Sequence, residues 1–437
     1  MVLPPNPDMP DPFTPKLTAA DELKVEKFPL LPDFRLRALN WTRNFPYASF
    51  LNGHNYALPY GPFPEVLAVG EEALDVQQIF SQPAGCFGYF GYDCNFPLPE
   101  ESLPPREDEF PQAVFFRALH EIRFFEKEVA ILSACPAEVF KELQTMPVFV
   151  PAILNRVPFR AETQPGKYLQ DVDKIKDLIR EGWVYELNYC QFFEKAEPVC
   201  GLSAYLKLDE AMPMPFSGWL KFPGFEIACA SPERFLRKEG QKLISQPIKG
   251  TAKRGKTPEE DARIRTDLLV SEKERAENLM IVDLVRNDLN AVSQTGSVQV
   301  EELFGIYAYP SVFQMISTVA SAMEHPNDAL KAMEATFPMG SMTGAPKKEV
   351  MKRIAGLETR KRGPFSGCLG YTDGAGNFDF NVLIRSVFIN HLTGKAFFGV
   401  GSAITIDAFP LPEWEECRIK ASRILEIFGE DWQDLFR

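Results

Sequence analysis

A lysine stands in the middle of a stretch rich in turn-forming residues, ISQPIKGTAKRG, which runs from Ile244 to Gly255. Proline, glycine and threonine together favour a chain that turns tightly and presents its backbone amides. Lys249 lies between a Pro-Ile pair and a Gly-Thr pair, and two interpretations of it are open. It is either a solvated charge, as most lysines are, or an amine placed to do chemistry.

Carboxylates fall where a helix should be apolar. In SEKERAENLMIVDLVRNDL, which begins at Ser271, a projection at about 100° per residue places Glu274 and Glu277 on the side of Ile281. Apolar residues point in nearly every direction around this helix, which predicts that it is buried. Ser271 and Glu274 fit a capping box, so capping explains Glu274 at least in part. It does not explain Glu277, because a buried carboxylate needs a paired charge or a metal ion.

Two hypotheses account for the charge that balances Glu277. One is an arginine partner, for which Arg286 and Arg385 are available, and the other is a divalent cation. The closing helix carries a second pair, Glu413 and Glu416, although an acidic first turn is also favoured by the helix dipole. Two glutamate pairs from distant helices could together hold one hard cation such as Mg²⁺, with positions left for water and substrate.

Glycines interrupt a strand-like segment near the C-terminus. GVGSAITID places Gly399 and Gly401 within a β-branched run, which predicts a bulge or a close backbone approach, for example to a ligand carboxylate. GSMTGAPKKEV opens a helix but lacks the spacing and the final Lys-Ser/Thr of a phosphate loop, which excludes a nucleotide site of that kind. None of the four histidines has a nucleophile close by in the sequence, so acid–base chemistry is expected to rest on Glu and Lys.

Composition excludes several classes of protein. The net charge of -13 over 437 residues argues against binding to nucleic acid. The eight cysteines are dispersed without a CxxC pair, so neither a zinc framework nor a secreted disulfide pattern is expected. No run approaches the roughly 18 apolar residues of a membrane span. The opening MVLPPNPDMPDPF has neither a basic leader nor an apolar core, so we expect no signal peptide and a cytoplasmic location.

The pattern of predicted secondary structure changes near residue 155. Residues 1–155 mix short strand-like runs with proline-rich turns, and residues 156–437 alternate strands with longer helices. We interpret the two parts as an N-terminal subdomain and a catalytic region that form one intertwined globular unit. Strands come first along the chain, then helices, then further strands, and this order favours an α+β fold with antiparallel sheets.

Motifs along the second region resemble those of the chorismate-utilising enzymes, and they occur in the same order. Between Gly166 and Leu425 they read ELNYCQFF, ASPERFL, PIKGTAKRG, SEKERAENLMIVDLVRNDL, GSMTGAPKKEVM, CLGY, IRSV, GVGSAI and EECRIKA. Before Gly166 the resemblance is weaker and rests on GCFGYFGYD. The resemblance implies an α/β sandwich of two antiparallel sheets with helices outside and the active site between the layers. Residues 156–437 would then be the chorismate-binding catalytic region, preceded by a component I-like subdomain.

The resemblance also implies three groups of site residues, carried over position by position. The group that holds Mg²⁺ comprises Glu277 and Glu416 as ligands, with Glu274 and Glu413 beside them to support the ion and its waters. The group that meets the ring carboxylate of chorismate, which the ion clamps, comprises Gly250 and Thr251. The group that holds the enolpyruvyl carboxylate comprises Tyr371, Arg385, Gly399 and Gly401.

Lys249 stands where members of this family differ. Anthranilate synthases usually read PIAGT here, whereas aminodeoxychorismate synthases of the covalent type read PIKGT, as this chain does. The resemblance implies that Lys249 attacks C2 of chorismate, the double bonds shift and the C4 hydroxyl leaves, with Glu233 as the general acid. Ammonia then attacks C4 and expels the lysine, giving 4-amino-4-deoxychorismate. Lys249 must be neutral to attack, which requires a pKa lowered by desolvation.

Two positions depart from most relatives. Glu186 stands where isochorismate and salicylate synthases have a base lysine and most other relatives have glutamine. Gln314 stands where anthranilate synthases have a histidine associated with pyruvate elimination, so retention of the enolpyruvyl group is favoured here. The tryptophan-sensing LLES segment of anthranilate synthases is not evident near PYASFLNG, which weakens the expectation of feedback inhibition.

Ammonia is expected to come from outside this chain, because the sequence has no glutaminase motif. The source would be free ammonia or a separate glutamine amidotransferase subunit, and a separate lyase would then complete 4-aminobenzoate for folate synthesis. Two alternatives remain. Anthranilate synthase component I is opposed by Lys249 and Gln314, and a non-catalytic chorismate-binding homologue is opposed by the full set of four glutamates.

Overall fold

The computed structural model describes residues 23–96, 109–154, 157–197 and 199–436. The opening MVLPPNPDMPDPF, for which no signal peptide is expected, lies outside these ranges. Within them, no helix combines the length and the apolar character that crossing a bilayer requires.

The strands of the described residues follow one another along the chain as β1 (Lys24–Pro29), β2 (Tyr47–Asn52), β3 (Val66–Gly70), β4 (Cys86–Phe90), β5 (Ala113–Arg117), β6 (His120–Phe124), β7 (Glu128–Ser133), β8 (Arg160–Ala161), β9 (Glu186–Lys195), β10 (Phe216–Phe222), β11 (Phe225–Ser231), β12 (Arg234–Glu239), β13 (Lys242–Gln246), β14 (Ile248–Lys253), β15 (Gln299–Ala308), β16 (Val312–Ala322), β17 (Gly344–Ala345), β18 (Cys368–Thr372), β19 (Phe378–Asn381), β20 (Ser386–Asn390) and β21 (Lys395–Ile404). The α-helices of the same ranges are α1 (Phe34–Trp41), α2 (Pro136–Thr145), α3 (Pro165–Arg180), α4 (Gly201–Ala211), α5 (Pro258–Val270), α6 (Glu272–Asn290), α7 (Ala329–Thr336), α8 (Lys347–Leu357) and α9 (Pro410–Phe428).

Two large antiparallel sheets organise these strands. The first has 12 strands in the order β1-β7-β6-β3-β2-β10-β11-β20-β21-β9-β17, with β8 paired to β9. The second has nine strands in the order β14-β16-β13-β12-β19-β18-β4-β5, with β15 paired to β16. The predicted α+β fold with two antiparallel sheets is therefore confirmed.

The central strands of the first sheet are buried on both faces, as β11 illustrates. Ile227 and Cys229 belong to the apolar cluster shared with the second sheet, whereas Ala228 and Ala230 belong to the cluster beneath the helices. This follows from the alternation of side chains along a strand. Helix α4 packs on β11, so the residues that face it are small. Burial on both faces explains why these strands read as continuous apolar runs in the sequence.

Strands from both sides of residue 155 are interleaved in each sheet. In the first sheet, β2 pairs with β10 from Ala48 to Asn52. In the second sheet, β4 pairs with β18 from Cys86 to Phe90. The N-terminal strands therefore complete the same two sheets that carry the later residues.

Helix α6 begins and ends close to the predicted positions, and Ser271 caps it as expected. The Ser271 side chain accepts a hydrogen bond from the backbone N–H of Glu274. The prediction that the whole helix is buried is wrong, since Leu279 keeps 45% of its exposure. One face alone packs on the sheet, through residues that include Ile281 and Val285. The apolar residues on the other sides of the helix do not reach the core.

Candidate active site

Lys249 lies in a bulged strand. Strand β14 pairs with β16, with Ile248 opposite Ile316 and Thr251 opposite Gln314. Three steps along β14 therefore match two steps along β16, and the extra residue is accommodated around Lys249. The predicted tight turn is wrong, because the chain continues as an irregular strand here. The bulge nevertheless interrupts the regular pairing at the lysine.

Glu186 is the partner of this lysine. The Lys249 Nζ atom donates a hydrogen bond of 2.8 Å to Glu186 Oε1. The side chains of Lys249 and Glu186 are 11% and 1% exposed, so the pair is almost entirely enclosed by protein. Glu186 begins β9, opposite Ala345 of the short strand β17. Lys249 is therefore not a solvated surface charge.

The pKa of Lys249 is raised, which differs from the expectation drawn from desolvation. Burial acts to lower this pKa, but the nearby Glu186 carboxylate outweighs it, with further contributions from Glu277 and Glu416. The negative charges around the amine therefore favour its ammonium form. Any reaction in which Lys249 attacks as a neutral amine needs a group that takes its proton.

Glu233 is a buried carboxylic acid close to this lysine. It precedes β12 and is 5% exposed. Burial raises its pKa to about 7, opposed in part by Ser341 and by the charge of Lys249. Its backbone is fixed on both sides, since its N–H donates to Ser231 Oγ at 3.2 Å and its carbonyl accepts from Val382 N at 3.0 Å. Glu233 is therefore positioned to carry a proton near neutral pH.

Glu233 lines a cavity of about 340 Å³. The wall of this cavity includes Ser341 and Asp288. Lys347 Nζ donates to Asp288 Oδ2 at 2.6 Å, although burial raises the pKa of Asp288 to about 6. The cavity is therefore a partly polar space adjoining the proposed acid.

Asn278 ties helix α6 to the bulge. Its Nδ2 atom lies 3.4 Å from both the Lys249 carbonyl and the Met315 carbonyl. Its Oδ1 atom accepts a hydrogen bond of 2.6 Å from Ser317 Oγ. Because Glu274 lies one turn before Asn278, this anchor holds the Glu274 carboxylate against the strand.

Gly250 faces that carboxylate and adopts a conformation that favours glycine. Its φ is +93°, in the region that side chains other than glycine rarely adopt. A Cβ atom at this position would also lie 3.0 Å from Glu274 Oε2 and 3.2 Å from Met315 Cβ. Both the backbone and the space therefore require the absence of a side chain. Thr251, the next residue, is exposed.

Glu277 has a lysine neighbour rather than an arginine. Lys273 Nζ lies 3.7 Å from its Oε1 atom, whereas Arg286 pairs with Asp283 at 2.8 Å. The hypothesis of an arginine partner is therefore wrong for Arg286. Burial raises the pKa of Glu277 to about 7, opposed by Lys249 and Lys273. The carboxylate lacks enough nearby positive charge to offset its burial.

The second glutamate pair lies on the first turns of α9. Glu413 is 5% exposed, and burial together with the charge of Glu416 raises its pKa. Glu416 pairs with Lys420 at 2.6 Å, and although burial opposes its ionisation, Lys420 lowers its pKa overall. Lys420 Nζ also donates to the Gly401 carbonyl at 2.8 Å. The Lys420 and Glu416 side chains keep 40% and 46% exposure, although the protein around them still restricts their hydration.

The two glutamate pairs share one electrostatic environment. The charge of Glu416 raises the pKa of Glu274 and of Glu413. All four carboxylates of the two pairs raise the pKa of Lys273. Within the described ranges, no three His, Cys, Asp or Glu side chains are close enough together to form a ready metal site. The chemistry of the two glutamate pairs nevertheless fits a hard divalent cation, because oxygen ligands are concentrated here and the pKa values of Glu274, Glu277 and Glu413 are raised by burial and by like charge.

Gly399 and Gly401 lie in a regular strand without a bulge. Strand β21 pairs with β9 in one continuous register from Ala396 to Ile404. The bulge predicted from these glycines is therefore wrong. The predicted close approach is present, but it is made by neighbouring protein side chains. A Cβ at Gly399 would lie 2.7 Å from the Phe365 ring, and one at Gly401 would lie 2.5 Å from Cys190 Sγ. The glycines make room for neighbouring side chains.

Arg385 is partly buried, and its charge interacts with that of Glu233. It has a φ of +51°, and its Nη1 atom lies 3.8 Å from Met214 Sδ. Burial lowers its pKa, opposed by Tyr309 and Glu233. Within the described part of the chain, no carboxylate forms a salt bridge with this guanidinium. A partly buried arginine in this state is suited to bind an anionic ligand.

Tyr371 is not brought to this cluster. Its ring packs among the aromatic rings of Phe63 and Phe87, with centroids 6.1 Å and 5.9 Å away. It lines a different cavity of about 590 Å³, whose wall also includes Glu121 and Arg123. Its expected contact with the enolpyruvyl carboxylate therefore has no support from its position, because the side chain points into the apolar layer between the sheets.

Sequence reasoning overlooked two lysines of the site. Lys273 and Lys420 each stand four residues from a glutamate on the same helix, in the pairs Lys273–Glu277 and Glu416–Lys420. This spacing is the known signal for a helical ion pair. It indicates that the carboxylates have partial counter-charges before any cation is bound.

Comparison with known proteins places the chain in one family. A family described as chorismate binding enzyme matches residues 62–426. The chain belongs to this family. It is 36% identical over 316 residues to aminodeoxychorismate synthase component 1 of Bacillus subtilis (strain 168), covering 71% of this chain and 65% of that protein. It is 39% identical over 287 residues to the probable chloroplastic aminodeoxychorismate synthase of Oryza sativa subsp. japonica, covering 65% of this chain and 32% of that protein.

The fold matches a solved member of the same group. Anthranilate synthase component I from Streptococcus pneumoniae TIGR4 superposes with a TM-score of 0.71 at 25% identity, covering 85% of this chain and 95% of that one. The chain spans about two-thirds of the length of the Bacillus relative and about one-third of the rice relative. Membership of the family is thus established.

Proposed function

We propose that this protein aminates chorismate at C4 to give 4-amino-4-deoxychorismate, with Lys249 forming a covalent intermediate. The observation that carries the proposal is an enclosed lysine amine, 11% exposed, whose charge acts on the buried Glu233 carboxyl group. Glu233 has a pKa of about 7 and interacts electrostatically with Lys249. A nucleophile and a proton donor of suitable pKa are the two groups that this substitution needs.

The reaction begins with attack by the neutral Lys249 amine on C2. The N–C2 bond forms, the two ring double bonds shift, and the C4–O bond breaks. Glu233 donates its proton to the departing hydroxyl, which leaves as water. Ammonia then attacks C4, the double bonds shift back and the C2–N bond breaks. The amine at C4 returns a proton to Glu233, which restores the acid.

Substrate placement follows from the charged groups at the two ends of the site. Arg385, partly buried and without a carboxylate partner among the described residues, suits one carboxylate of chorismate. Glu277 and Glu416 would hold Mg²⁺ with Glu274 and Glu413 beside them, and the bound ion supplies positive charge for the ring carboxylate. Gly250 and Thr251 belong to the bulged strand that faces this position.

The ammonia donor is proposed to be a separate glutamine amidotransferase subunit, and the product is proposed to serve 4-aminobenzoate and folate synthesis. The support is the name of the Bacillus relative, aminodeoxychorismate synthase component 1. A cytoplasmic location remains a prediction from composition, since the rice relative is named as chloroplastic.

Anthranilate synthesis is the second candidate, because a solved relative carries that name. Gln314 is the observation that opposes it. This residue is 2% exposed and lies opposite Thr251 in the bulged pair of strands. An amide side chain cannot relay the proton that elimination of pyruvate requires.

Incubation of the pure protein with chorismate, Mg²⁺ and ammonia tests the proposal. We expect a product with the mass of aminodeoxychorismate and no release of pyruvate. Anthranilate together with pyruvate would identify the second candidate. No turnover, even with a glutaminase partner supplied, would favour a non-catalytic chorismate-binding homologue.

Substitution of the lysine tests the covalent route. Lys249→Ala is expected to abolish amination while chorismate still binds, because the carboxylate contacts remain. Lys253→Ala is the matched control, since Lys253 is an exposed lysine on the same strand. Undiminished amination by the Lys249→Ala variant would refute the covalent intermediate.

A further inference from the structure

The partner of Lys249 has an unused acceptor. Glu186 is 1% exposed, and its Oε1 atom accepts the hydrogen bond from Lys249 Nζ at 2.8 Å. Its Oε2 atom is buried and has no hydrogen-bond partner among the residues that the structure describes. A buried carboxylate oxygen in this state carries a desolvation cost that no protein group offsets. The second oxygen therefore has the capacity to take up a proton.

The carboxylates around Lys249 differ in their access to its amine. Glu186 and Glu277 act on the charge of Lys249 from β9 and α6, and Glu416 acts on it from α9. Glu233, before β12, also interacts with this charge. Glu186 is the one that forms a hydrogen bond with Nζ within the described residues. It is therefore in place for direct proton transfer.

We propose that Glu186 accepts the proton that Lys249 loses before it attacks chorismate, and returns that proton when the lysine departs. This inference rests on the proposed covalent amination. It assigns a role to the residue that departs most clearly from the family pattern. A glutamine at this position could orient the amine but could not take its proton.

The proton and charge balance closes around this pair. Transfer converts the Lys249 ammonium and the Glu186 carboxylate into an amine and a carboxylic acid. The amine uses its lone pair to form the N–C2 bond and becomes a secondary ammonium. When the C2–N bond breaks, the electron pair returns to nitrogen, and the Glu186 acid restores the ammonium. Glu233 serves the hydroxyl and the incoming ammonia separately, so neither group needs an external base.

The carboxylate-to-amide variant Glu186→Gln tests the role through the pH dependence of amination. In the native protein the proton stays within the pair, so its transfer does not change the net protonation of the pair. In the variant, Lys249 must lose its proton to solvent before each attack. We expect amination to fall on the order of 100-fold at pH 7. The ratio of variant to native rate should rise about tenfold per pH unit until Lys249 is neutral. Because both proteins contain Glu233, its titration cancels in this ratio.

Two further variants separate proton transfer from a structural effect. Glu186→Asp keeps a carboxylate and should recover at least a tenth of the native rate with little dependence of the ratio on pH. Glu194→Gln makes the same change on the same strand, but Glu194 pairs with Lys395 at 2.7 Å away from the site. This control should aminate within twofold of the native protein at every pH.

Chemical labelling of Lys249 provides a readout that does not depend on chorismate. Acetic anhydride acylates neutral amines, and mass spectrometry gives the pH at which half of Lys249 reacts. Loss of the Glu186 charge should lower this pH by about one unit or more, with no change in the Glu194→Gln control.

The outcomes distinguish this role from the proposed function. A native protein that produces no aminated chorismate overturns the proposed function and this role with it. Native amination, with a variant-to-native ratio for Glu186→Gln that is flat with pH, overturns the role of Glu186 alone. An unchanged labelling pH also overturns it, because the ion pair would then be absent in solution. Isochorismate as the native product would instead indicate that Glu186 activates water.

Discussion

At the scale of single residues, the site combines two carboxylic acids in different states beside one amine. Glu233 has a raised pKa of about 7 because it is buried. Glu186 instead has a hydrogen-bonded cation at 2.8 Å. Two carboxyl groups in different surroundings can take different roles, so that one donates a proton while the other accepts one.

The acid role of Glu233 predicts an alkaline limit to amination. The group donates only when protonated, so the rate should fall about tenfold per pH unit above pH 7. Glu233→Gln should lose activity on the order of 100-fold or more and should no longer show this limb, while it still binds chorismate. Steady-state rates between pH 6 and 9 provide the measurement, with Glu239→Gln at the end of the following strand, β12, as the control. Persistence of the limb in Glu233→Gln would assign it to another group.

The same raised pKa has a thermodynamic consequence. From the ordinary 4.5 up to about 7, the folded protein holds a proton on Glu233 that the unfolded chain has released. The stabilisation linked to this proton is complete below pH 4.5 and is lost as the pH rises through 7. Catalysis and stability therefore decline over adjoining pH ranges.

At the scale of secondary-structure elements, the bulge of β14 brings the lysine and helix α6 together. Gly250 is the residue that makes the bulge possible, through its φ of +93° and its contact distance to Glu274. Asn278 fixes the opposite side by contacting the Lys249 carbonyl at 3.4 Å. The orientation of the amine therefore depends on a backbone feature that has no chemistry of its own.

Replacement of Gly250 by alanine should weaken both the fold and the site. The positive φ costs about 1 kcal/mol, and the 3.0 Å approach to Glu274 Oε2 adds about 1–2 kcal/mol because packing must shift. Gly240→Ala is the matched control, with a φ of +57° and open space around the new methyl group. Urea unfolding should show the larger loss for Gly250→Ala, together with reduced amination. Equal losses would mean that the contact with Glu274 has no cost.

At the scale of the whole molecule, the glutamate cluster joins elements that pack on different sheets. Helix α6 packs on β14 and β16 of the second sheet, and α9 packs on β21 of the first. A cation held between Glu277 and Glu416 would therefore connect both halves of the sandwich. Its binding energy would add to the stability of the entire fold.

Mg²⁺ should raise the melting temperature of the native protein. At a concentration 100 times the Kd, a ligand specific to the folded state adds about 2.7 kcal/mol, which corresponds to several degrees. Glu277→Gln and Glu416→Gln should each remove most of this increase. Glu415→Gln should keep it, because Glu415 is exposed on α9 and pairs with Arg418. Thermal unfolding with and without Mg²⁺ measures the effect, and an increase preserved in all variants would place the cation elsewhere.

Local signals in the sequence were enough to predict part of this structure. The helices that carry Glu277 and Glu416 and the Ser271 cap follow from short-range spacing, and all are present. The bulge and the Glu186–Lys249 pair join residues 63 positions apart, so no local pattern indicates them. The sequence also could not predict why glycine is needed at position 401, because the side chain that a Cβ would meet there, Cys190, lies on a neighbouring strand.

Interleaving of early and late strands limits how this protein can be recombined with its relatives. A crossover near residue 155 would separate β2 from its partner β10 and β4 from its partner β18. Strands from one parent protein would then have to pack and pair with strands from the other parent. Chimeras that exchange a strand together with its hydrogen-bonded neighbour keep both strands matched, even though the exchanged segments are far apart in the chain. The parts of this fold that can be exchanged between relatives are therefore pairs of strands rather than contiguous segments.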